Sequence, residues 1–381
     1  MLDPWPFATV PNRDRAELWV GRPEALRRLD GLLASWRRRK AADISVFWAD
    51  FGQGKTHALL HMLNVVASQP TVVAHYLQLP PLTTGSPFVA VYRQVLRDFP
   101  IDALAKRVFE QNPGSPVDLG RSGAPGERLV RQLLWIIGAH GPGMDVAERW
   151  LRGDKVSTSD ASRVALPGSS SGIGSSPATA QDCQNVLDAL LGVAIDFPAD
   201  GAAELVLFVD EFQRVGELDH RKRAEVCDSL HLLMNRHPQG FHLVLAFAGG
   251  LPEIVGQVLT GDLQSRVSTR LDLHPMTVAQ GKDYFVDLVN AYGHKSNPPM
   301  DPAQFPFAPD AVDLLVSLAD PTGDLLSPRR INITADLLAN EVLTERAGQG
   351  LSADLPITRD ELLMARDRLS DVLDQTLAVV D

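Results

Sequence analysis

The sequence predicts an α/β fold: a parallel sheet of five strands with helices on its faces, a long helical insert, and an all-helical C-terminal region. Two observations support this prediction. Short apolar runs alternate with segments whose apolar residues recur every three or four positions, which is the pattern of β-α-β units. From about Val278 onwards only the helical spacing continues, so we expect no further strand there.

The first element is expected to be an extended arm at residues 1–20, because prolines interrupt any helix there. A helix is predicted to follow from Pro23, since proline is tolerated in a first helical turn. That helix ends in Arg37-Arg38-Arg39-Lys40. Cations at this position compensate the helix dipole or contact nucleic acid, and the sequence leaves both interpretations open.

The strands are expected to be short, buried and parallel. A glycine-bearing loop, 49–56, and a helix follow the first strand, and a mostly helical insert at about 86–200 separates the second strand from the third. Within the insert, residues 166–178 are rich in Gly, Ser and Pro, which predicts a flexible surface loop. The expected strands are 44–48, 71–77, 205–209, 243–247 and 271–273.

Composition excludes several classes of protein. The net charge of −11 over 381 residues argues against a surface coated with nucleic-acid-binding charge, although a local basic patch remains possible. Cys183 and Cys227 lack the spacing of a metal site and are typical of reduced thiols. The N-terminus does not have the pattern of a secretory signal, and no apolar run approaches the ~20 residues that cross a bilayer. We therefore expect a cytoplasmic protein with no membrane partner.

The strongest chemical signal is a P-loop, Ala49-Asp-Phe-Gly-Gln-Gly-Lys-Thr56, between a predicted strand and a predicted helix. In such a loop, backbone N–H groups bind phosphate oxygens, the lysine adds charge near the β- and γ-phosphates of ATP, and the threonine hydroxyl can ligate Mg²⁺. Ala49 stands where glycine is usual, which is a mild departure. The candidate nucleotide-binding residues here are Phe51, Gly52, Gln53, Gly54, Lys55, Thr56 and His57.

A second motif ends the predicted strand 205–209 with two acids, Asp210 and Glu211. Ligands of parallel α/β sheets bind at the carboxyl ends of strands, so these carboxylates are expected at the site. Asp210 is predicted to hold Mg²⁺, and Glu211 to act as the general base on the attacking water. The combination with the P-loop about 150 residues earlier indicates an ATPase.

Together with Val20-Gly21-Arg22 and Asp210-Glu-Phe-Gln213, the P-loop resembles that of the AAA+ ATPases. More narrowly, these three segments together are similar to those of the branch that contains replication-origin initiators, transposition regulators and signalling STAND ATPases. The resemblance covers about residues 18–340. It implies a nucleotide-binding core at 21–277 and a helical lid with C-terminal helices at 278–381. It also implies that Val20, Gly21 and Arg22 lie beside the adenine base.

The resemblance gives candidate catalytic roles to three arginines. Residues 263–271 resemble the segment with an arginine finger, which reaches the ATP of a neighbouring subunit; Arg270 matches that position better than Arg266. An exposed arginine paired with acids is the alternative for each. Ser327-Pro-Arg-Arg-Ile-Asn332 resembles the lid motif called sensor 2, which implies a contact between Arg329 and the γ-phosphate. The alternative is an ordinary N-terminal helical turn with exposed arginines. A finger supplied by a neighbour implies a homo-oligomer, either a ring or a helix.

One position departs from the family pattern. The fourth strand should end in a polar residue that orients water, but here it ends in Phe247-Ala248-Gly249, which offers no side-chain donor. We therefore expect hydrolysis to be slow or to depend on a partner.

The segment Ala147-Glu-Arg-Trp-Leu-Arg-Gly153 is similar to ATP-binding proteins of bacterial phage-defence systems of the BREX type. This implies an ATP-dependent oligomeric switch or motor that works with an effector protein and engages duplex DNA. Two alternatives remain: a transposition-type regulator that loads onto DNA, and a nucleotide-gated scaffold with little hydrolysis. Residues 357–380 leave room for one long helix and not for a winged-helix reader, so DNA contacts are expected to be to phosphates.

Overall fold

The five strands form one parallel sheet in the order β2-β3-β4-β1-β5. The computed structural model describes residues 6–7, 9–69, 71–82, 85–114, 126–164, 173–196, 204–249, 253–295, 306–352 and 355–380. Because β4 lies between β1 and β3, the loops that leave these two strands flank the end of β4. The strands are Asp43–Ala49 (β1), Val72–Gln78 (β2), Glu204–Asp210 (β3), Phe241–Ala248 (β4) and Val267–Leu273 (β5).

The predicted five-stranded parallel sheet is therefore confirmed, and four of its strands begin and end within two residues of the expected positions. The exception is β5, which starts four residues earlier than predicted. This strand lies at the edge of the sheet, where Ser268 and Arg270 are exposed. Polar side chains at an exposed edge remove the apolar run by which a buried strand is recognised.

Helices cover both faces of the sheet, and the helices after β5 pack around a hydrophobic core of their own; this helical group is called the lid below. Those that precede the lid are α1 Pro23–Arg39, α2 Lys55–Ala67, α3 Pro87–Arg97, α4 Ile101–Gln111, α5 Glu127–Gly138, α6 Met144–Leu151, α7 Thr158–Ala161, α8 Ala180–Asp196, α9 His220–Arg236, α10 Ile254–Val258 and α11 Gly261–Gln264. Those of the lid are α12 Val278–Lys295, α13 Pro309–Ala319, α14 Pro328–Gly348 and α15 Arg359–Val380. Within the described ranges, none of these helices combines the length and apolarity needed to cross a membrane.

Two hydrophobic cores lie on opposite faces of the sheet. Successive side chains of a strand point to opposite faces, so Val46 packs with the insert helices and Phe47 with α1 and α2. The insert predicted to be mostly helical is mostly helical in its described parts, and its apolar faces extend the first of these cores.

The lid has its own core, and the N-terminal arm contributes to it. Phe7 is 2% exposed and stacks on Phe285, with ring centroids 5.5 Å apart and planes within 5°. Farther along, the arm contains a 3₁₀ turn, Arg15–Glu17, that packs on α2. The arm thus contacts both core and lid, a feature that the prediction of an extended arm did not include.

The segment predicted to be a flexible loop is described only in part. Residues 166–172 lie outside the described residues. Ile173 is buried, the Trp150 indole donates to the carbonyl of Gly174 at 3.1 Å, and the Val156 N–H donates to Ser176 Oγ at 3.1 Å. These contacts hold residues 173–176 against α6 and the segment that follows it, where composition predicted a flexible surface loop.

Candidate nucleotide-binding site

The P-loop joins the end of β1 to the start of α2. Gly52 and Gly54 have φ angles of 73° and 91°, a region that glycine adopts without steric cost. These two residues turn the chain into α2, whose first N–H groups have no intrahelical acceptor and can bind phosphate oxygens. The sequence-predicted loop is therefore placed at the carboxyl end of the sheet, facing the lid.

A buried cluster of one cation and two carboxylates lies at the start of α2. Lys55 Nζ is 2.9 Å from Asp210 Oδ1 and 2.9 Å from Glu211 Oε1. The Asp210 side chain is fully buried, whereas that of Glu211 is 18% exposed. Buried charges are stable when they are paired and hydrogen-bonded, and this cluster meets that requirement.

Asp210 accepts further hydrogen bonds through its second oxygen. Thr56 Oγ1 donates to Asp210 Oδ2 at 2.7 Å, and the Tyr76 hydroxyl donates to the same oxygen at 3.1 Å. Burial, and next the charge of Asp210, raise the pKa of Tyr76 well above its usual value, so this phenol stays a donor. Sequence reasoning missed Tyr76, because its position on the neighbouring strand becomes apparent only from the sheet order.

The oxygens of Thr56 and Asp210 form a donor set suited to Mg²⁺. Magnesium prefers hydroxyl, carboxylate, phosphate and water oxygens, and it is usually held in proteins by one or two carboxylates together with substrate phosphates. The 2.7 Å separation of Thr56 Oγ1 from Asp210 Oδ2 brings a hydroxyl and a carboxylate together beside the P-loop. The residues present therefore fit the predicted ion.

Glu211 adopts a left-handed backbone conformation, with φ of 61°, at the start of the 3₁₀ turn Phe212–Val215. That turn brings Gln213 back to the end of β3, where its Nε2 donates to Glu211 Oε2 at 2.7 Å. The Ala248 N–H donates to Gln213 Oε1 at 2.9 Å. The residues at the end of β4 supply no side-chain donor, as expected, but Gln213 from the turn after β3 places an amide between that strand end and Glu211.

The segment expected beside the adenine base packs between P-loop and lid. Gly21 has φ of 62°, and a Cβ there would lie 3.1 Å from Tyr284 Cβ. Arg22 donates to the Gln53 side chain and, at 2.9 Å, to the carbonyl of His274. Burial lowers the pKa of Arg22 to about 10. Arg22 thus ties this segment to the P-loop.

A cavity of about 260 Å³ lies between the core and the lid. It approaches the size of the concave sites that bind small molecules. The N-terminal arm contributes to its wall through Pro6 and Val10. The predicted site residues that line it are Val20, Arg22, Phe51, Gly52, Gln53, Gly54, Lys55, Thr56, His57, Glu211 and Arg329.

Arg329 reaches this cavity because the first turn of α14 abuts the P-loop. Ser327 Oγ caps the helix by accepting from the Arg330 N–H at 3.2 Å, and the Arg329 N–H donates to the carbonyl of Gly52 at 3.4 Å. The structure therefore brings the predicted lid arginine together with the P-loop.

The two predicted finger arginines lie elsewhere. Arg270 is exposed on β5, and its Nε donates to Asp272 Oδ1 at 2.8 Å. Arg266 donates to the Asn235 side chain. Neither lines the cavity of its own chain. An arginine in such a position can reach the ATP of a neighbouring subunit, or it can be a surface residue paired with an acid. The finger assignment therefore stays a prediction.

No protein-family model matches the sequence, and no curated protein matches it either. Among solved structures, ORC2 of Aeropyrum pernix, in ADPNP–ADP complexes, matches with a TM-score of 0.52 and 12% identity over 95% of this chain and 71% of that one. ORC1 of the same organism, in complex with DNA, matches with a TM-score of 0.47 and 16% identity over 97% and 72% of the two chains. RuvB of Thermotoga maritima gives 0.44 and 14% over 95% and 73%. The ORC2 match shows that this chain shares the fold of that protein, in agreement with the predicted α/β architecture.

Proposed function

We propose that the protein is a Mg²⁺-dependent AAA+ ATPase that binds ATP between its core and its lid. The observation that supports this best is the buried cluster in which Lys55 contacts both Asp210 and Glu211 at 2.9 Å. The two carboxylates have different surroundings. Asp210 is fully buried and takes donors on both oxygens, whereas Glu211 is partly exposed at the cavity. This difference suits one acid to a metal ion and the other to water.

In the proposed reaction, the N–H groups of the P-loop and α2 bind the phosphates, and Lys55 exchanges a carboxylate partner for phosphate oxygens. Thr56 and Asp210 would hold Mg²⁺, and a bound Mg²⁺ would supply positive charge against the phosphates. Glu211 orients a water and accepts its proton as the water oxygen attacks the γ-phosphorus. The bond between that phosphorus and the bridging oxygen breaks, giving ADP and phosphate.

The proposal includes assembly of the chain into a ring or helical homo-oligomer. Arg270, with Arg266 as the second candidate, lies on the sheet edge outside the cavity of its own chain. An arginine in that position acts on ATP only across an interface between different surfaces of two copies, which is a heterologous contact. Arginine fingers supplied in this way accelerate phosphoryl transfer by ~10³–10⁵.

For the biological role, we propose an ATP-dependent switch or motor in a bacterial multi-protein anti-phage defence system, acting with an effector protein. The support is the similarity of residues 147–153 to such proteins. The experiment is phage challenge of a bacterial host that expresses the complete system. Loss of protection in Lys55→Ala is expected, and undiminished protection would remove the link between ATP and defence.

The proposed contact with duplex DNA rests on exposed cations. Arg37, Arg38 and Lys40 are exposed at the end of α1. Binding through them should be sequence-tolerant and should weaken as salt rises, with a slope set by the number of phosphates contacted. Loading that requires ATP would favour the transposition-type alternative. The alternative of a nucleotide-gated scaffold with little hydrolysis has less support, because Gln213 places a polar group where the end of β4 has none.

The proposed ATPase is tested by nucleotide binding and steady-state hydrolysis in Lys55→Ala. The matched control is Lys106→Ala, whose side chain is 75% exposed on α4. We expect Lys55→Ala to lose hydrolysis by more than about 100-fold, and the control to retain it, because only Lys55 faces the proposed phosphates. Equal activity of the two variants would refute the nucleotide site.

A further inference from the structure

Gln213 connects the proposed general base to the end of the neighbouring strand. Its Nε2 is 2.7 Å from Glu211 Oε2, and its Oε1 is 2.9 Å from the N–H of Ala248, the last residue of β4. The other oxygen of Glu211 contacts Lys55. Arg214 lies 3.9 Å from Glu211 Oε2 and donates to the carbonyl of Leu79. Gln213 is therefore the near donor to this carboxylate oxygen.

The chemistry of its two partners fixes the orientation of the Gln213 amide. A backbone N–H only donates, so it must face the amide oxygen. The amide NH₂ group then faces the carboxylate of Glu211, which only accepts. Rotation of the amide by half a turn would oppose two donors at Ala248 and two acceptors at Glu211. Among side chains of this length in their usual charge state at neutral pH, only an amide satisfies both partners at once.

We propose that Gln213 is a positioning residue for Glu211. Its amide links the carboxylate of the general base to the backbone N–H at the end of β4, and this link holds the carboxylate in place. Ala248 supplies no polar side chain, and Gln213 supplies a polar group from the turn that follows β3. The inference rests on the proposed ATPase function. Its consequence is selective: removing the amide misplaces the carboxylate during hydrolysis but leaves the phosphate-binding groups of the P-loop in place.

The test compares Gln213→Met, which has a side chain of similar length without either hydrogen-bonding group, with Gln213→Glu. The second variant can still accept from Ala248 N–H but presents an oxygen to Glu211. The matched control is Gln257→Met on the exposed face of α10. The readouts are kcat and KM for ATP hydrolysis, Kd for ADP and the melting temperature.

We expect kcat to fall by about 10- to 100-fold in both Gln213 variants, since displacement of a positioned group by about 1 Å has effects of this size. The Kd for ADP should stay within about twofold of the wild-type value, and Gln257→Met should be unchanged. In a Glu211→Gln background, adding Gln213→Met should cause no further loss, because residues that act as a unit are not additive.

The inference is overturned if the wild type hydrolyses ATP and both Gln213 variants keep its kcat. It is also overturned if Gln213→Met lowers the rate equally in the Glu211→Gln background, since the residue would then act independently of the base. If Gln213→Met has a lowered melting temperature, the kcat of Gln213→Glu becomes the deciding measurement. If the wild type neither binds nor hydrolyses ATP, the proposed ATPase itself fails and the inference falls with it.

Discussion

Gly52 lies where the P-loop meets the first turn of α14, so its replacement by alanine tests whether lid position determines nucleotide affinity. The φ angle of Gly52 is 73°, and an added Cβ would lie 3.0 Å from Arg329 Cβ and 3.1 Å from Ser327 Oγ. Both distances are shorter than ordinary contacts. The alanine methyl group must therefore push α14 away from the P-loop.

The expected magnitude follows from these two effects. A non-glycine residue in the left-handed region costs about 1–2 kcal/mol. Displacement of α14 adds a cost that falls on the closed arrangement of lid and core. If ATP and ADP bind only to that arrangement, only this second cost weakens affinity: an overpacking cost of about 1–2 kcal/mol lowers the affinity roughly 5- to 30-fold.

The control is Gly350→Ala at the opposite end of the same helix. Gly350 has φ of 70° with nothing within 4 Å of an added Cβ, so this variant suffers the backbone strain alone. Urea unfolding should show a loss of about 1–2 kcal/mol in Gly350→Ala and a larger loss in Gly52→Ala. Titration with a fluorescent ADP analogue should show weaker binding only in Gly52→Ala. Equal affinity of Gly52→Ala and wild type would refute the coupling, and an equal loss in Gly350→Ala would assign it to general destabilisation.

Three further predictions concern catalysis, packing and pH. Arg270→Ala should lower kcat by ~10³ or more without changing ADP affinity, measured by steady-state hydrolysis; an unchanged rate would leave Arg270 as a surface residue. Gly138→Ala should lose about 1–3 kcal/mol in urea unfolding, because its Cβ would lie 2.2 Å from a backbone oxygen of α4, whereas Gly31→Ala, with open space, should gain about 0.5–1 kcal/mol. A hydrogen bond from Arg346 is the main cause that lowers the pKa of Glu361 from 4.5 to about 2, so its stabilisation should be complete above pH 4.5 and lost as pH falls towards 2. Glu361→Gln should flatten the stability profile in that window, and an unchanged slope would contradict this.

Local sequence patterns were sufficient for most of the sheet and insufficient for its edge. The strands β1, β3 and β4 are buried along nearly their whole length, so each appears as an apolar run that ends close to the true boundary. The exposed edge strand β5 alternates polar and apolar residues, and only its buried end was recognised. The burial of Phe7 in the lid was not predictable, because a local pattern does not reveal which distant surface an aromatic side chain will join.

In the candidate site, too, the residues of local motifs were predictable, and the residues placed by tertiary structure were not. The sequence motifs contain Lys55, Asp210 and Glu211. The fold brings both carboxylates to 2.9 Å from Lys55 Nζ. Gln213 stood two residues after Glu211 in the recognised motif, but its role depends on a 3₁₀ turn and on the register of β4. Tyr76 depends on which strand lies beside β3. Sheet order and turn geometry, which the motifs do not encode, determine both contacts.

ATP is proposed to drive assembly of this chain, and the particle mass in solution reports that assembly. The Glu211→Gln variant removes the proposed general base and should accumulate the ATP-bound state. Its mass is measured with ATP and Mg²⁺ and with ADP, each with and without duplex DNA. A mass that rises to a multiple of 41.5 kDa only with ATP is the predicted result, and a further rise with DNA would support the proposed DNA contact. A mass of 41.5 kDa under all four conditions would contradict ATP-driven assembly.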